Sequence, residues 1–593
     1  MTGLDVLTML LLTFSFAPWG AWPAAYIALA PWVMALWIGR ETKAAVWLGG
    51  LTGYVFWAGN LYWLTWITCL GHAAGTFYLA LFWLLASWVM LATVRRRWPT
   101  WLALPVLWVA LEYARTFFIG FPWMFLAHSQ YARTSLIQIS DLTGQYGVSF
   151  VVAMVNGLAV DMALCFRREA RGGRRRATVV GAATVAILLT GMLVYGHKRL
   201  REQTQSEGPI IALVQQAVPT RLSGPGEPHE VVLNRYVTDT MPLFGMACDL
   251  VVWPESVLAL ANPQMQDLRV DELNHVKLQG LGEMFLPSSL RASEETDEEI
   301  RSAIDIVLFF ARREFELVSE LSARLGCPIL AGNSAVRWHE GSGGGEWVIM
   351  NDAMLLDGEA QSTDSYSKIN LVPFSEYVPF KESWPAFFDL LSYFVPPSRP
   401  SLQPGREYKV MRMSRYGREW ALATPICYEG TFARVCRRMV APAGNKTADV
   451  MVNISNDGWF VYTTPDGSNR LSVEHAQHLA AYCFRAVENR VPVVRSVNTG
   501  ISASIDSNGR LIAWLDGKNG MQDGSPMARG VLLLDGGGNE SGDIVRHGAK
   551  ILVDSRVSRY SLIGDLFARL VLASAAIMLV CIRLRHNRRI EGI

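Results

Sequence analysis

Three segments of this chain carry side chains whose types suit acyl transfer. Glu255 follows the apolar run 251–254, Lys368 lies in Ser367-Lys368-Ile369-Asn370, and Cys427 ends the run Thr424-Pro425-Ile426-Cys427. A thiol attacks an acyl group well only as a thiolate, so it needs a base or a positive field nearby. Glu255 would be desolvated by Trp253 and Pro254, which suits a base. The Lys368 ammonium can stabilise an oxyanion and also favours the thiolate. The pattern predicts a nucleophile, its base and an oxyanion stabiliser.

Each of these residues also has an ordinary structural explanation. A cysteine after a strand usually packs in a core, a glutamate after Trp-Pro often caps a turn, and a single lysine is usually a surface charge. The three occur together, each in a context that suits its chemical role. Their joint occurrence favours catalysis over the three separate explanations.

The composition indicates a membrane protein and argues against a nucleic-acid partner. Of the 593 residues, 51% are hydrophobic, and the net charge is only +2. The eight cysteines are scattered without a C-x-x-C pair, so neither a metal site nor a disulfide framework is indicated. His475 and His478 do not form an H-E-x-x-H motif, so they are interpreted as ordinary helix residues. The glycines of segment 341–345 are not followed by Gly-Lys-Ser/Thr, so a phosphate-binding loop is not predicted.

Apolar stretches dominate the first 200 residues. Seven are close to the length that a membrane-spanning helix needs, and an eighth follows the long polar region. The predicted spans are residues 4–17, 22–39, 45–65, 75–94, 101–118, 146–165, 177–195 and 564–582. No Lys or Arg precedes Arg40, so a cleaved signal peptide is disfavoured. A soluble core is disfavoured too, because seven such helices would lack a polar surface.

Basic residues predict the orientation of these spans. Lys and Arg cluster after spans two, four and six and in the C-terminal tail, and cytoplasmic loops are enriched in such residues. The clusters are Arg40 and Lys43; Arg95, Arg96 and Arg97; Arg167, Arg168, Arg171, Arg174, Arg175 and Arg176; and Arg583, Arg585, Arg588 and Arg589. Lys198, Arg199 and Arg201 do not fit, but long translocated domains largely ignore the rule. Both termini are therefore expected inside, and the region between spans seven and eight outside.

The polar region from residue 209 has the pattern of an α/β domain. Short β-branched runs alternate with amphipathic stretches. The predicted strands are 210–218, 250–252, 328–331, 347–356, 420–426, 450–454 and 491–497, and the predicted helices are 299–325 and 473–489. Glu255 and Cys427 follow strand ends, where open α/β sheets carry their sites, whereas Lys368 is expected on a connection. Segment 262–302 is interpreted as an insertion or mobile surface segment.

Several longer motifs resemble the apolipoprotein N-acyltransferase family, a membrane-embedded branch of the nitrilase (carbon-nitrogen hydrolase) superfamily. The order of Glu255, Lys368 and Cys427 matches the superfamily. The narrower matches are segments 371–380 (LVPFSEYVPF), 426–429 (ICYE), 453–460 (NISNDGWF), 485–490 (RAVENR) and 498–501 (NTGI). The likeness extends over nearly the whole chain.

The resemblance implies a fold and a domain order. The fold is an α/β nitrilase-like αββα sandwich inserted in a polytopic all-α membrane domain of eight transmembrane helices. The expected divisions are a membrane domain over 1–200, a catalytic domain over 205–545, and the eighth helix with a basic tail over 560–593. The implied location is the bacterial inner membrane, with the catalytic domain on the periplasmic side.

The resemblance also implies the reaction and its partners. Cys427 would take an acyl chain from a phospholipid as a thioester and pass it to the α-amino group of the diacylglyceryl-cysteine of apolipoproteins. Glu255, Lys368 and Cys427 are the implied catalytic residues, and Glu376, Tyr428 and Glu429 the implied substrate-binding residues. A structural hydrogen bond to a loop is the alternative for Glu429. No cofactor or metal is implied, and a monomer is expected.

Some residues depart from the family pattern, and two other functions stay open. Ser375 replaces a usual Gly, Trp459-Phe460-Val461 lacks the usual following Gly, and segment 462–469 differs from the family pattern. A membrane-tethered amidase, in which water resolves the thioester, is the first alternative. A transporter or scaffold with a degenerate domain is the second, and the intact Glu255, Lys368 and Cys427 argue against it.

Overall fold

A helical part comes first in the chain, and an α/β part follows it. The computed structural model describes residues 2–117, 120–166, 172–218, 220, 227–259, 268–285, 297–341, 344–358, 362–378, 380–381, 383–392, 401–464, 469–515, 528–537 and 545–590. The helical part comprises residues 2–200 and the last helix, and the α/β part residues 205–554. Segments 167–171, 342–343 and 465–468, about which the sequence makes predictions, lie outside the described residues.

The helices of the two parts are numbered here in chain order. In the helical part they are α1 Gly3–Ser15, α2 Ala30–Ile38, α3 Ala44–Asn60, α4 Cys69–Arg95, α5 Thr100–Ala114, α6 Thr134–Ile137, α7 Ser140–Thr143, α8 Gln145–Cys165 and α9 Gly172–Leu200. In and after the α/β part they are α10 His229–Thr240, α11 His275–Phe285, α12 Asp297–Leu325, α13 Pro385–Ser392, α14 Ala433–Val440, α15 Val473–Asn489, α16 Arg559–Ile563 and α17 Leu566–Ile590.

Four helices are long and apolar enough to cross a membrane. They are Cys69–Arg95, Gln145–Cys165, Gly173–Leu200 and Leu566–Leu584, and each has a mean hydropathy of 1.9 or more over its most apolar window. They coincide with the predicted spans four, six, seven and eight. The helices at spans one, two, three and five are shorter, with 13, 9, 17 and 15 residues respectively. The structure therefore supports a membrane protein with four helices of full spanning length among its described residues.

Seventeen strands form the β-structure of the described chain. They are β1 Gln205–Glu207, β2 Ile211–Gln215, β3 Leu250–Val252, β4 Ile329–Gly341, β5 Gly344–Asp357, β6 Ser362–Ser367, β7 Val410–Arg415, β8 Arg418–Ala423, β9 Val450–Ser455, β10 Val461–Thr463, β11 Asn469–Leu471, β12 Val493–Val497, β13 Ser502–Ile505, β14 Leu511–Leu515, β15 Gly530–Leu534, β16 Val545–His547 and β17 Leu552–Asp554. One sheet has the order β16-β15-β2-β3-β4-β5-β6, and a second has the order β14-β13-β12-β9-β8-β7.

The two large sheets pack face to face with helices outside. Alternation along β2 shows this: Ile211 and Leu213 join the core that includes the second sheet, whereas Ala212 and Val214 join the core under α10 and α12. The Ser496 hydroxyl of β12 donates across the layers to the Val252 carbonyl of β3 at 3.1 Å. Helices α14 and α15 pack on the second sheet. The α/β part is thus the predicted αββα sandwich.

Buried charges dock the sandwich on the helical part. Arg490, at the end of α15, lies 2.5 Å from Asp141 of α7. The backbone nitrogen of Gln145 in α8 donates to the Glu488 carboxylate at 2.8 Å, and the Trp123 indole donates to Gln477 at 2.8 Å. Buried pairs of this kind are costly to break, because the surviving charge lacks water. The α/β part therefore has a fixed position relative to the helical part.

The structure corrects several sequence-based boundaries. The strand predicted over 328–331 runs to Gly341, because β4 and β5 form a long hairpin. The strand predicted over 420–426 ends at Ala423. Segment 262–302, expected to be an insertion or mobile segment, includes helix α11 among its described residues. That helix packs on α12 through a small apolar cluster that includes Leu278, Leu281 and Ile304.

Candidate active site

The three predicted catalytic residues all lie just beyond strand ends. Glu255 follows β3, and Cys427 follows β8 and begins a short 3-10 helix at φ 51°. Lys368 lies on a connection, as the sequence predicts, and directly follows the end of β6. A cysteine with positive φ is uncommon, and strained backbone of this kind concentrates at functional sites. Three strand ends therefore bring the residues to one edge of the sandwich.

Lys368 connects two carboxylates at the centre of this edge. Its Nζ donates to Glu376 Oε1 at 2.8 Å and to Glu255 Oε1 at 3.3 Å, and the lysine side chain is fully buried. Burial alone would lower the pKa of Lys368, but the Glu376 and Glu255 carboxylates and the Cys427 thiol raise it well above its ordinary value. Lys368 is therefore an ammonium ion in a site from which water is excluded, which suits oxyanion stabilisation.

Two asparagines that the sequence did not single out hold Glu255 in place. The Asn351 amide donates to Glu255 Oε1 at 2.7 Å and to Glu376 Oε1 at 3.1 Å, so it spans both carboxylates. The Asn456 backbone nitrogen donates to Glu255 Oε2 at 2.8 Å. Asn351 lies within strand β5. A polar residue inside a mostly apolar predicted strand is the signal that could have identified it. With these bonds, the Glu255 carboxylate is fixed in position.

The Cys427 thiol is protonated in the resting protein. Burial and the Glu255 carboxylate raise the pKa of Cys427 well above its ordinary value, and Lys368 lowers it less than these raise it. The expectation from the sequence that Lys368 favours the thiolate is correct for the lysine alone. The combined surroundings act in the opposite direction, because they raise the pKa of Cys427. The proton must be removed as the sulfur attacks, and Glu255 is the nearby carboxylate suited to take it.

Glu376 reaches the site from the loop after Lys368. Its second oxygen accepts from the Val372 backbone nitrogen at 2.7 Å, and the side chain is 14% exposed. It therefore fixes the Lys368 ammonium and the following loop together, while one side of the carboxylate stays open.

Glu429 is enclosed by protein donors. It accepts from the backbone nitrogens of Ile369 and Asn370, both at 2.9 Å, from that of Ile426 at 3.0 Å, and from the Tyr366 hydroxyl at 3.0 Å. The side chain is fully buried, and burial raises its pKa. This geometry favours a role in holding the Lys368 loop against the turn at Cys427 over the substrate contact expected from the sequence.

Tyr428 joins the site to the helical part. Its hydroxyl donates to the Gly120 carbonyl at 2.6 Å, and its ring meets Phe432 edge-on at 5.1 Å and Phe121 at 6.5 Å. Phe121 in turn packs on Trp57 at 6.4 Å. The side chain is only partly buried, so its ring is available to a ligand while its hydroxyl is used.

An apolar pocket lies within the helical part below these aromatic residues. It is lined mainly by apolar side chains, with one buried acid and one buried base. The lining residues are Leu12, Phe16, Phe56, Trp57, Leu79, Phe82, Trp83, Ala86, Trp108, Leu111, Glu112, Arg115, Met124 and Leu126. The rings of Trp57, Phe121 and Tyr428 form a continuous path from this pocket to the residue after Cys427.

A second buried charge cluster lies beside the site. The carboxylate and imidazole atoms of Asp457, Glu474 and His478 lie within 4.8 Å of one another, and Asp457 comes from a different segment of the chain than the other two. The Arg495 guanidinium is 2.6 Å from Asp457 and fully buried. This guanidinium already supplies the positive charge at Asp457, so the cluster is an ion-pair network and not a set of metal ligands.

Comparisons with known proteins agree with this geometry. Residues 9–158 match the model of the apolipoprotein N-acyltransferase N-terminal domain, and residues 211–521 match that of the carbon-nitrogen hydrolases. The apolipoprotein N-acyltransferase of Geobacter metallireducens is 30% identical over 523 residues, with 85% of each chain covered. That of Chlorobaculum tepidum is 26% identical, with 86% of this chain and 87% of the relative covered, and that of Azotobacter vinelandii is 27% identical, with 84% of each covered. A carbon-nitrogen hydrolase sandwich joined to this N-terminal domain makes the chain a member of the apolipoprotein N-acyltransferase family.

Proposed function

We propose that this protein transfers an acyl chain from a phospholipid, through a thioester on Cys427, to the α-amino group of an apolipoprotein's diacylglyceryl-cysteine. The observation that carries the proposal is the meeting of Glu255, a fully buried Lys368 ammonium and the Cys427 thiol at one edge of the sandwich. The names of the relatives support the acceptor, since each is an apolipoprotein N-acyltransferase.

In the first half-reaction Cys427 Sγ attacks the ester carbonyl of the donor lipid. Glu255 takes the thiol proton as the carbon–sulfur bond forms, and the Lys368 ammonium stabilises the oxyanion. Collapse of the tetrahedral intermediate breaks the ester carbon–oxygen bond, and Glu255 returns the proton to the leaving alkoxide. The products are a lysophospholipid and the acyl-Cys427 thioester.

In the second half-reaction the acceptor amine attacks the thioester. Glu255 takes a proton from the attacking amine, Lys368 again stabilises the oxyanion, and the carbon–sulfur bond breaks. The sulfur leaves and regains a proton from Glu255, which restores the resting enzyme. The products are the amide of the triacylated protein and free Cys427.

The helical part supports a lipid as the donor. Four helices of spanning length and the apolar pocket near Tyr428 suit acyl chains that never leave the bilayer. We propose eight spans in all, with the domain divisions 1–200, 205–545 and 560–593. Both termini would be cytoplasmic and the sandwich periplasmic, in the inner membrane, with the protein acting as a monomer. The basic residues that follow alternate spans support this orientation.

The reaction is tested by mass spectrometry of a diacylated lipopeptide incubated with the membrane enzyme and phospholipid. We expect the peptide to gain one acyl mass with the wild type and with Cys69→Ala, which removes an exposed thiol of the helical part. Cys427→Ala should give no gain. Release of free fatty acid without a peptide product would identify the amidase instead, and transfer by Cys427→Ala would refute the thioester.

The orientation is tested by labelling with a membrane-impermeant maleimide. The test uses spheroplasts from cells that carry single-cysteine variants. Cys69 follows the third predicted span, so its thiol should react with the reagent from outside. Cys165, the last residue of the sixth predicted span, should react only after lysis. The opposite order would overturn the periplasmic placement of the sandwich.

A further inference from the structure

The residue beside Cys427 on the neighbouring strand is Ser455. Ile426 and Ile454 form a parallel bridge between the segments that follow β8 and end β9, so the next residues, Cys427 and Ser455, lie side by side. The Ser455 side chain is fully buried, and its hydroxyl lowers the pKa of the neighbouring Cys427 thiol. A buried hydroxyl next to a nucleophilic sulfur is a group that the two half-reactions above leave unused.

The Ser455 hydroxyl has one proton, which it can donate to either of two neighbours, the Asp457 carboxylate and the Cys427 sulfur. Its Oγ lies 2.6 Å from Asp457 Oδ1, a distance typical of a donated O–H···O⁻ bond. Asp457 is itself fully buried, and Arg495 holds its other oxygen at 2.6 Å. Because an ionised carboxylate only accepts, Ser455 donates to Asp457 in the resting state.

We infer that Ser455 is a hydrogen-bond switch that turns its O–H from Asp457 to the Cys427 sulfur as the thiolate forms and again as it leaves the thioester. This inference deepens the proposed function and depends on it for the second part of the test. The thiol proton passes to Glu255, and the Ser455 proton stays bonded to Oγ throughout. No other bond forms or breaks in the turn, so the step balances.

The surroundings allow the carboxylate to release this donor. When Ser455 turns away, Asp457 keeps its ion pair with Arg495, so its charge is not left unpaired. His478 Nδ1 lies 3.5 Å from Asp457 Oδ1 and 3.2 Å from Glu474 Oε1, and these groups complete the charged shell around Asp457. The charged groups that face Cys427 itself are Glu255, Lys368 and Asp457.

The same short segment positions the base. The backbone nitrogen of Asn456, the residue after Ser455, donates to Glu255 Oε2 at 2.8 Å. The nucleophile's hydrogen-bond donor and one anchor of its base are therefore consecutive residues at the end of β9. The Asp457 charge raises the pKa of Cys427, and the Ser455 hydrogen bond lowers it, so the direction in which the hydroxyl points affects the thiolate directly.

The experiment measures the rate of Cys427 alkylation by iodoacetamide against pH, read on the Cys427 peptide by mass spectrometry. Ser455→Ala should slow alkylation about tenfold at a given pH, equivalent to a shift of about one pH unit. Ser455→Thr, which keeps a hydroxyl, should restore most of the rate. Ser496→Ala is the matched control, because this buried serine on β12 donates only to backbone carbonyls. Its pH profile should match the wild type.

Acyl transfer provides the second readout. Ser455→Ala should lower kcat by about tenfold with KM nearly unchanged, because the hydroxyl touches sulfur and not the bound lipid. A Ser455→Ala profile that coincides with the wild type would overturn the inference, as would a Ser455→Thr profile as slow as that of Ser455→Ala. An equal shift in Ser496→Ala would also overturn it, since loss of packing would then be the cause. Alkylation needs no lipid, so a failure of the proposed acyl transfer would leave the first readout valid.

Discussion

The molecule has one buried charge cluster at the reaction site and another at the joint between the helical and α/β parts. The two clusters differ in whether all of their hydrogen-bond donors are occupied. At the joint, Asp141 receives Arg490 at 2.5 Å, Arg199 at 2.8 Å and the Tyr195 hydroxyl at 2.7 Å. At the site, the only acceptors of Lys368 Nζ among the described residues are Glu255 and Glu376. An ammonium has three protons, so one remains for an oxyanion. The joint is saturated and structural, whereas the site keeps a donor in reserve.

Removing the site cation gives the largest expected effect. Lys368→Met should reduce acyl transfer by about 10²–10³-fold, the usual cost of losing an oxyanion donor. It also leaves Glu255 and Glu376 buried without their cation, so thermal unfolding should be measured alongside transfer. Lys409→Met is the control, because Lys409 is a half-exposed lysine of the same part, paired with Asp364. Near-normal transfer by a folded Lys368→Met would remove the distinction between the two clusters.

Breaking the joint should affect stability instead of chemistry. Arg490→Met leaves Asp141 buried with less compensation and should lower the free energy of unfolding by about 3–5 kcal/mol. Thermal unfolding in detergent measures this loss, and alkylation of Cys427 in the folded fraction should be unchanged. Arg412→Met, which breaks a pair with Glu419 in which Arg412 is 61% exposed, should have little effect. A folded Arg490→Met variant with a changed Cys427 profile would show that the joint also tunes the site.

The difference between the clusters also explains how much the sequence could predict. Glu255 and Cys427 follow apolar strands, so both their position and their chemistry are visible along the chain. Lys368 follows β6, Ser362–Ser367, whose polar residues lack a strand pattern because it is the last strand of its sheet. Asp141 with Arg490, and Ser455 with Asp457 and Arg495, depend on packing between distant segments. Local pattern therefore predicts the three candidate catalytic groups but not their partners.

The base and the nucleophile can be separated by a variant with opposite effects on two measurements. The Glu255 carboxylate raises the pKa of Cys427, so Glu255→Gln should lower that pKa. The thiolate fraction at pH 8 then rises, and alkylation of Cys427 should become several-fold faster, at tenfold per unit of pKa. Acyl transfer should fall, because the base is gone. Slower alkylation in Glu255→Gln would mean that Glu255 stabilises the thiolate and does not serve as its base.

The smallest expected effect tests the link between the site and the helical part. Tyr428→Phe loses the hydrogen bond to the Gly120 carbonyl but keeps the ring packed against Phe432 and Phe121. The free energy of unfolding should fall by about 1 kcal/mol, the usual net value of one hydrogen bond. Tyr482→Phe is the matched comparison, since the Tyr482 hydroxyl donates to the Cys427 carbonyl at 2.8 Å and should affect kcat more than stability. A rise in KM without a loss of stability in Tyr428→Phe would instead indicate that the hydroxyl contacts the lipid. Tyr428 would then belong to the reaction site and not to the structural contacts with the helical part.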